Sequence, residues 1–401
     1  MFRLTQYMRE VLAPTPLGQK RTPPGPVVIW NLTRRCNLTC KHCYALAVDK
    51  AFPGELSTDD CFDVLEDLRA AKVPALILSG GEPMVRNDLF KISARAKELG
   101  LYVALSTNGT LIDAENVKDI AAADYGYVGI SIDGTRDTHD AFRRKVGAFD
   151  ASMKGVRLCV AEGLKVGLRF TMTQDNAHDL PDVLGLMDSE GVDRFYFSHL
   201  NYAGRGNHNR KTDAFFKLTR DAVTLLFDRC LADLQAGRDI EYVTGNNDAD
   251  AVWFLKWVEG RFPDRLDDIR ARLEQWGGNA SGLYVANIDN IGNVHPDTMW
   301  WHKSIGNVRE RAFDGIWGDI SDPLMAGLKQ QPRAVKGRCG ACAYLNVCGG
   351  NTRVRAEQIT GDPWEEDPAC YLDDDEIGVT TTRERVVTVP FSATKRLKKA
   401  G

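Results

Sequence analysis

The hydrophobic positions of residues 27–200 follow two alternating periods. Short runs of β-branched and aromatic residues recur: VVIWNL at 27–32, LILSG at 76–80, YVALSTN at 102–108, YVGISID at 127–133, KVGLRFTM at 165–172 and RFYFSHL at 194–200. Each is apolar enough for a parallel strand buried on at least one face. Amphipathic stretches separate them. The clearest predicted helix is Leu56–Ala71, where Ser57 or Thr58 caps the first turn and Phe62, Leu65 and Leu68 share a face. Others are predicted near 88–99, 113–123, 150–163 and 180–190. Repeated βα units with right-handed crossovers give an α/β barrel or a doubly wound sheet. Both place the ligand site at the carboxyl ends of the strands.

The flanking sequence divides less sharply. Residues 1–27 read as an arm: a short amphipathic start, then TPLGQKRTPPGP, whose prolines forbid regular helix. The βα units occupy 28–225, with a further helical pattern at 211–236. Residues 226–290 read as a bridging segment in which WFLKW at 253–257 belongs to a core. From 291 to 378 Gly, Cys, Trp and Pro are frequent and helical period is weak, as in a small domain organised around metal. Residues 379–401, ending KRLKKAG, read as a frayed tail.

At 401 residues, with 43% hydrophobic and 26% charged positions, the chain is neither disordered nor membrane-embedded. Its net charge of -4 gives no reason to expect a nucleic acid or an anionic membrane as partner. No stretch approaches the ~18 apolar residues of a bilayer span, and the opening MFRLTQYMREVL lacks a signal-peptide core, so a cytoplasmic location is expected. Seven of the 10 cysteines fall into two tight groups. In a reducing compartment such grouping points to metal or redox chemistry.

The first group, RRCNLTCKHCYA, sets Cys36, Cys40 and Cys43 in a C-x3-C-x2-C loop directly after the first predicted strand. Three thiolates can hold three irons of a [4Fe-4S] cube and leave the fourth open to a ligand. A structural zinc site would want a fourth donor, for which His42 is at hand. The second group places Cys339, Cys342 and Cys348 in C-x2-C-x5-C spacing, with Cys370 following. That spacing suits zinc or a closed [4Fe-4S] cluster equally. Cys61, Cys159 and Cys230 lie in helical patterns and read as buried small hydrophobes.

The first loop resembles the signature of the radical S-adenosylmethionine (SAM) enzymes, with His42 at that family's aromatic position. The resemblance implies a partial (β/α)6 TIM-like barrel. It also implies an open iron that chelates SAM and a reduced cluster that cleaves SAM to methionine and a 5′-deoxyadenosyl radical. Later strand ends are consistent with it: Gly80, Gly81, Glu82 and Pro83 in SGGEP, Asn108 in STNG, Ser131 and Asp133 in SIDG, and Arg169. By resemblance these meet the amino, ribose and carboxylate groups of SAM. The second cysteine group resembles the SPASM extension of the family and implies a small cysteine-rich C-terminal domain with an auxiliary [4Fe-4S] cluster on Cys339, Cys342, Cys348 and Cys370. Asp297, Arg311 and Thr352 stand where the full extension has cysteines of a further cluster, so two clusters are expected in all.

HLNYAGRGN at 199–207, TGNNDAD at 244–250, NVHPDTMWWHKSIGNV at 293–308 and GGNTRVRAEQITGDPWEEDPACYL at 349–372 resemble the haem d1 biosynthesis branch of the family. So do MFRLTQYMRE and PPGPVVIWNLTRRCNLTCKHCYA. This likeness implies 12,18-didecarboxysirohaem as substrate, radical removal of its propionates at positions 3 and 8, and a low-potential electron donor. A flat polyanion wants aromatic walls, Arg forks and an iron ligand. The candidates are Trp300, Trp301, Arg205, Arg353, Arg355, His199, His295 and His302. The alternatives are a peptide-modifying SPASM enzyme, against which the short N-terminal arm argues, a sirohaem or haem-intermediate decarboxylase, and a zinc-bound scaffold.

Overall fold

The structure, a computed structural model, describes residues 1–20, 22–380 and 383–391. The six predicted strands form as β1 (Val27–Asn31), β2 (Leu76–Ser79), β3 (Val103–Thr107), β4 (Val128–Ser131), β5 (Val166–Met172) and β6 (Arg194–His199). They pair in sequence order, all parallel. Val28, Trp30, Leu76, Leu78, Leu105, Val128, Leu168 and Phe195 are each fully buried, which explains the near-continuous apolar runs. Four more strands extend the sheet: β7 (Glu241–Gly245), β8 (Val285–Ile288), β9 (Asn293–His295) and β10 (Gly306–Asn307). The order is β10-β9-β8-β1-β2-β3-β4-β5-β6-β7, so the sheet stays open with β7 and β10 at its edges. The α/β parallel architecture expected from the sequence is present.

The helices are α1 (Leu4–Leu12), α2 (Thr58–Ala70), α3 (Leu89–Glu98), α4 (Asn116–Ala122), α5 (Arg136–Arg143), α6 (Ala148–Ala161), α7 (Leu180–Glu190), α8 (Gly204–His208), α9 (Lys217–Gln235), α10 (Ala249–Arg261) and α11 (Leu266–Trp276). Further short helices follow in the C-terminal part. Ser57 caps α2 in a capping box with Asp60. Cys61, Cys159 and Cys230 are fully buried on α2, α6 and α9.

The flanking sequence carries more structure than its faint periodicity suggests. The amphipathic start of the N-terminal arm is packed down. Leu4, Tyr7, Met8 and Val11, at i, i+3, i+4 and i+7 spacing, bury one face of α1. Phe2 pairs with Thr244 across the edge of β7, its ring 5.3 Å from Tyr7 and 5.5 Å from Phe254. Within residues 226–290, β7 and β8 extend both sides of the parallel sheet. Both are short and end in Gly or Asn-rich turns, so their periodicity is faint. The change of character at 291 falls within the turn joining β8 to antiparallel β9. WFLKW is core as expected, with Phe254 stacked on Trp257 at 5.8 Å. The described part of the tail is anchored: the Tyr202 hydroxyl lies 2.7 Å from Thr388 Oγ1, and Arg210 Nε donates to the Val389 carbonyl at 2.6 Å. Residues 392–401 lie outside the described residues.

Phe2→Ala is expected to cost about 3 kcal/mol of stability, read from the urea unfolding midpoint. Leu17→Ala, at a position 45% exposed, should change it by less than about 0.5 kcal/mol.

Candidate functional site

The loop after β1 carries the first cysteine group at the carboxyl edge of the sheet. Its two ends meet where Cys36 N–H donates to the Val48 carbonyl at 3.1 Å. Each sulfur accepts a hydrogen bond: Cys36 Sγ from Leu38 N–H at 3.4 Å, Cys43 Sγ from Ala47 N–H at 3.4 Å, and Cys40 Sγ from Arg143 Nη1 at 3.5 Å. Cys36 and Cys40 are 6% and 7% exposed. Burial, followed by the Glu82 carboxylate, pushes the Cys36 thiol up to about 12. Such a sulfur becomes thiolate when a metal replaces its proton. Among the described residues no three His, Cys, Asp or Glu converge closely enough for a single ion. A cube asks for less, since its irons stand at separate corners and each takes one thiolate. Three sulfurs of one loop, each met by a donor, fit such a cluster.

SGGEP packs against the backbone just before Cys36. Gly81 N–H donates to the Thr33 carbonyl and Glu82 N–H to that of Arg35. A Cβ on Gly81 would stand 2.3 Å from the Arg35 oxygen, so only glycine fits. Pro83 is buried and opens a one-turn helix. Glu82 is fully buried, and its carboxylate accepts from Met84 N–H, Thr107 Oγ1 and Asn108 N–H at 3.0, 2.7 and 2.7 Å. It ties the end of β2 to that of β3. Asn108 Nδ2 donates to Asn37 Oδ1 at 2.9 Å and lies 3.9 Å from Cys36 Sγ. Ser131 and Arg169 are register partners on β4 and β5, and both are half-buried. Arg169 Nη1 donates to Ser106 Oγ at 2.6 Å while its guanidinium lies 5.0 Å from the Tyr196 ring centre. His42 stacks on Phe142 at 4.8 Å, and burial, with Arg143 adding, holds its pKa well below the ordinary value.

Asp133 is held by its own neighbours. It is fully buried, accepts Thr171 N–H at 2.7 Å, and forms an ion pair with Arg143. Arg143 itself was not singled out by sequence, although His139, Phe142 and Arg143 share the buried i, i+3, i+4 face of α5. Tyr44 was missed too; its hydroxyl accepts from Asn31 Nδ2 at 2.8 Å and its half-buried ring lies 5.9 Å from that of Trp301.

The arginines and histidines considered for substrate each hold a partner within the protein. Arg205 donates to the carbonyls of Cys40 and Ala47 at 2.7 and 2.9 Å. Arg353 donates to the Pro363 carbonyl and to that of Gly350. Arg355, with no exposure, pairs with Asp367 at 2.8 Å. Buried arginines are retained by such partners. His199 is held by Asp250 at 2.9 Å, His295 by the Lys303 carbonyl at 2.8 Å, and His302 by Glu357 at 2.6 Å. Trp300 is core at 1% exposure, whereas Trp301 is half-buried.

In the C-terminal part, Cys339, Cys342, Cys348 and Cys370 sit on two one-turn helices and the loop before Tyr371. All four are half-buried. Burial, followed by the neighbouring Cys370 and Cys339, pushes the Cys342 thiol up to about 11. Tyr344 N–H donates to Cys342 Sγ at 3.3 Å, and Arg353 Nη2 lies 3.9 Å from Cys339 Sγ. The three positions lacking cysteine have other work. Asp297 accepts from Met299 N–H at 2.6 Å, Arg311 pairs with Asp319 at 3.0 Å, and Thr352 Oγ1 donates to the Asn246 carbonyl at 3.0 Å.

A parallel α/β sheet with a three-cysteine loop at the end of its first strand defines a class of radical enzyme. The profile described as the radical SAM superfamily matches residues 30–187, and the chain belongs to that family as a radical SAM enzyme. It is 53% identical to the pre-heme d1 synthase of Dinoroseobacter shibae over 393 residues, covering 98% of this chain and 97% of that protein. To the Fe-coproporphyrin III synthase of Methanosarcina barkeri it is 44% identical over 91% of this chain and 92% of that protein. Among solved structures, Streptococcus suis SuiB bound to S-adenosylmethionine aligns with TM-score 0.69 at 18% identity, over 87% of this chain and 78% of that one. AnSMEcpe with bound AdoMet aligns with TM-score 0.66 at 18% identity, over 87% and 90%. These structures share the fold.

Gly81→Ala is expected to push the backbone before Cys36 by roughly an ångström and lower SAM cleavage about 100-fold. The 5′-deoxyadenosine released by anaerobically reconstituted protein measures this. Gly185→Ala on α7, where an added Cβ meets nothing within 4 Å, should match the parent.

Proposed function

We propose that this radical SAM enzyme acts in haem d1 biosynthesis, removing the two propionate side chains at positions 3 and 8 of 12,18-didecarboxysirohaem. The observation that carries this reading is the 53% identity to a pre-heme d1 synthase along 98% of the chain, with both cysteine groups inside the aligned length. When bound, a [4Fe-4S] cluster on Cys36, Cys40 and Cys43 together with SAM supplies a 5′-deoxyadenosyl radical. The chain's own residues hold and shield that chemistry. Gly80 to Pro83 offer a close-packed backbone edge to the SAM amino group, Ser131 and Arg169 present polar groups from adjacent strands, and His42 offers a neutral ring. Tyr44 and Trp301, with ring centres 5.9 Å apart, offer an aromatic pair to a flat macrocycle. Cys339, Cys342, Cys348 and Cys370 hold a second cluster that exchanges electrons with a low-potential donor.

A second reading follows from the 44% identity to an Fe-coproporphyrin III synthase: formation of an iron coproporphyrin from a related tetrapyrrole. One assay separates the two. Reconstituted protein, SAM, a low-potential reductant and 12,18-didecarboxysirohaem are combined without oxygen, and nucleoside and tetrapyrrole are weighed by mass spectrometry. Formation of 5′-deoxyadenosine with loss of both propionates supports the first reading. Formation of 5′-deoxyadenosine with an untouched tetrapyrrole sinks it. Cys36→Ala should abolish SAM cleavage yet retain about four irons per chain, the content of one cubane cluster; loss of all iron would show that the two cysteine sites fold as a unit.

A further inference from the structure

Behind the cysteine loop lies a buried charge relay with no part in the reading above. Arg143, the last residue of α5, is 5% exposed. Its Nη1 donates to Cys40 Sγ at 3.5 Å and its Nη2 forms an ion pair with Asp133. Asp133, at 0% exposure, is in turn fixed by Thr171 N–H at 2.7 Å, while its own N–H donates to His139 Nδ1 at 3.1 Å. The other two sulfurs accept only neutral backbone N–H groups within 3.5 Å. Among the described residues, Cys40 is therefore the one ligand of the loop that meets a full positive charge, and it does so in a site nearly closed to water. Charge-assisted hydrogen bonds there are stronger than neutral ones.

We propose that Arg143 is a positioning residue that sets the reduction potential of the cluster on Cys36, Cys40 and Cys43, with Asp133 aiming and moderating its charge. The inference rests on the family's [4Fe-4S] cluster occupying this loop. Reduction adds one electron, taken from an external one-electron donor, and makes the cluster and its thiolates more negative. A buried cation against one sulfur stabilises that state and raises the potential. Asp133 opposes it. The pair thus makes opposite predictions for its two members: losing Arg143 leaves a buried carboxylate beside the cluster and lowers the potential, whereas neutralising Asp133 leaves the guanidinium unopposed and raises it.

The test is a dithionite-poised redox titration of the chemically reconstituted full-length protein without SAM, followed by electron paramagnetic resonance of the reduced cluster. Cys339→Ala/Cys342→Ala is the background, so that the signal belongs to the first site. Arg143→Gln should lower the ratio of reduced to oxidised cluster at fixed potential at least tenfold, which is 59 mV for a one-electron couple. Asp133→Asn should raise it, and Arg143→Lys should fall between Arg143→Gln and the parent. Arg144→Gln, at the exposed neighbouring position, should leave it unchanged. If Arg143→Gln fails to take up iron, Arg143→Lys and Asp133→Asn decide the matter by the sign of their shifts. Cluster-loaded variants with the parent's potential overturn the role of Arg143 alone. Protein with all its cysteines that takes up no more iron than Cys36→Ala overturns the cluster assignment as well.

Discussion

The chemistry of this molecule depends on how the backbone carbonyls between Cys40 and Ala47 are held. A loop without regular structure leaves its carbonyl groups unpaired, and near a water-poor site each must find a donor. Here most of the donors come from far along the chain. Arg205 reaches the carbonyls of Cys40 and Ala47, and its own N–H takes that of Cys43. Asn209 takes Lys41 at 2.8 Å, and Arg34 takes Ala45 at 2.8 Å. Gly204, at φ +51, would bring a Cβ within 2.3 Å of the Tyr44 oxygen. The GRG turn after β6 thus grips the loop after β1, and the sulfurs inherit their positions from it.

That grip explains how far the sequence could be read. The cysteine spacing and the six strand runs are local patterns, and they survive folding because a parallel strand buried by its neighbours has little choice of composition. The positions of Asn108 and Ser131 likewise follow from where a strand ends, and that of Arg169 from its register beside Ser131. The pairing of Asp133 with Arg143 was not legible, because a carboxylate near a strand end looks the same whether it faces a ligand or turns to an arginine ten residues later in α5. The weak strands β7 and β8 were illegible for a related reason: four or five residues with Gly or Asn at one end acquire their identity from pairing partners, Tyr242 from Phe195 and Ala286 from Val28.

The arginines teach the sharper lesson. Arg205, Arg353 and Arg355 were attractive as anion-binding forks because a guanidinium is planar, always charged and rich in donors. Those same properties suit it to collect stray carbonyls where two loops meet, and burial decides between the uses. At 1% and 0% exposure, Arg353 and Arg355 answer to carbonyls and to Asp367 within the protein. An arginine in a Gly- and Cys-rich segment is more informative about missing secondary structure than about substrate charge, since such segments have the most backbone left to satisfy.

The same logic governs the seam between the sheet and the C-terminal cysteine unit. TGNNDAD, following β7, meets GGNTRVR side by side: Asp248 N–H donates to Asn351 Oδ1 at 2.8 Å, Asn351 Nδ2 to Asn247 Oδ1 at 2.6 Å, and Arg355 Nη1 to the Asn246 carbonyl at 2.6 Å. Asn247 Nδ2 reaches the Ala369 carbonyl at 3.1 Å, one residue before Cys370. Tyr371 continues the chain of contacts through Asp250 to His199 at the end of β6. An apolar seam of equal area could slide by fractions of an ångström at little cost, whereas a buried polar network fits in one register or leaves unsatisfied groups. Such a register fixes the second cysteine group relative to the strand ends. Two motifs that looked unrelated along the chain, one rich in Asn and Asp and the other in Gly and Arg, are the two halves of that single lock.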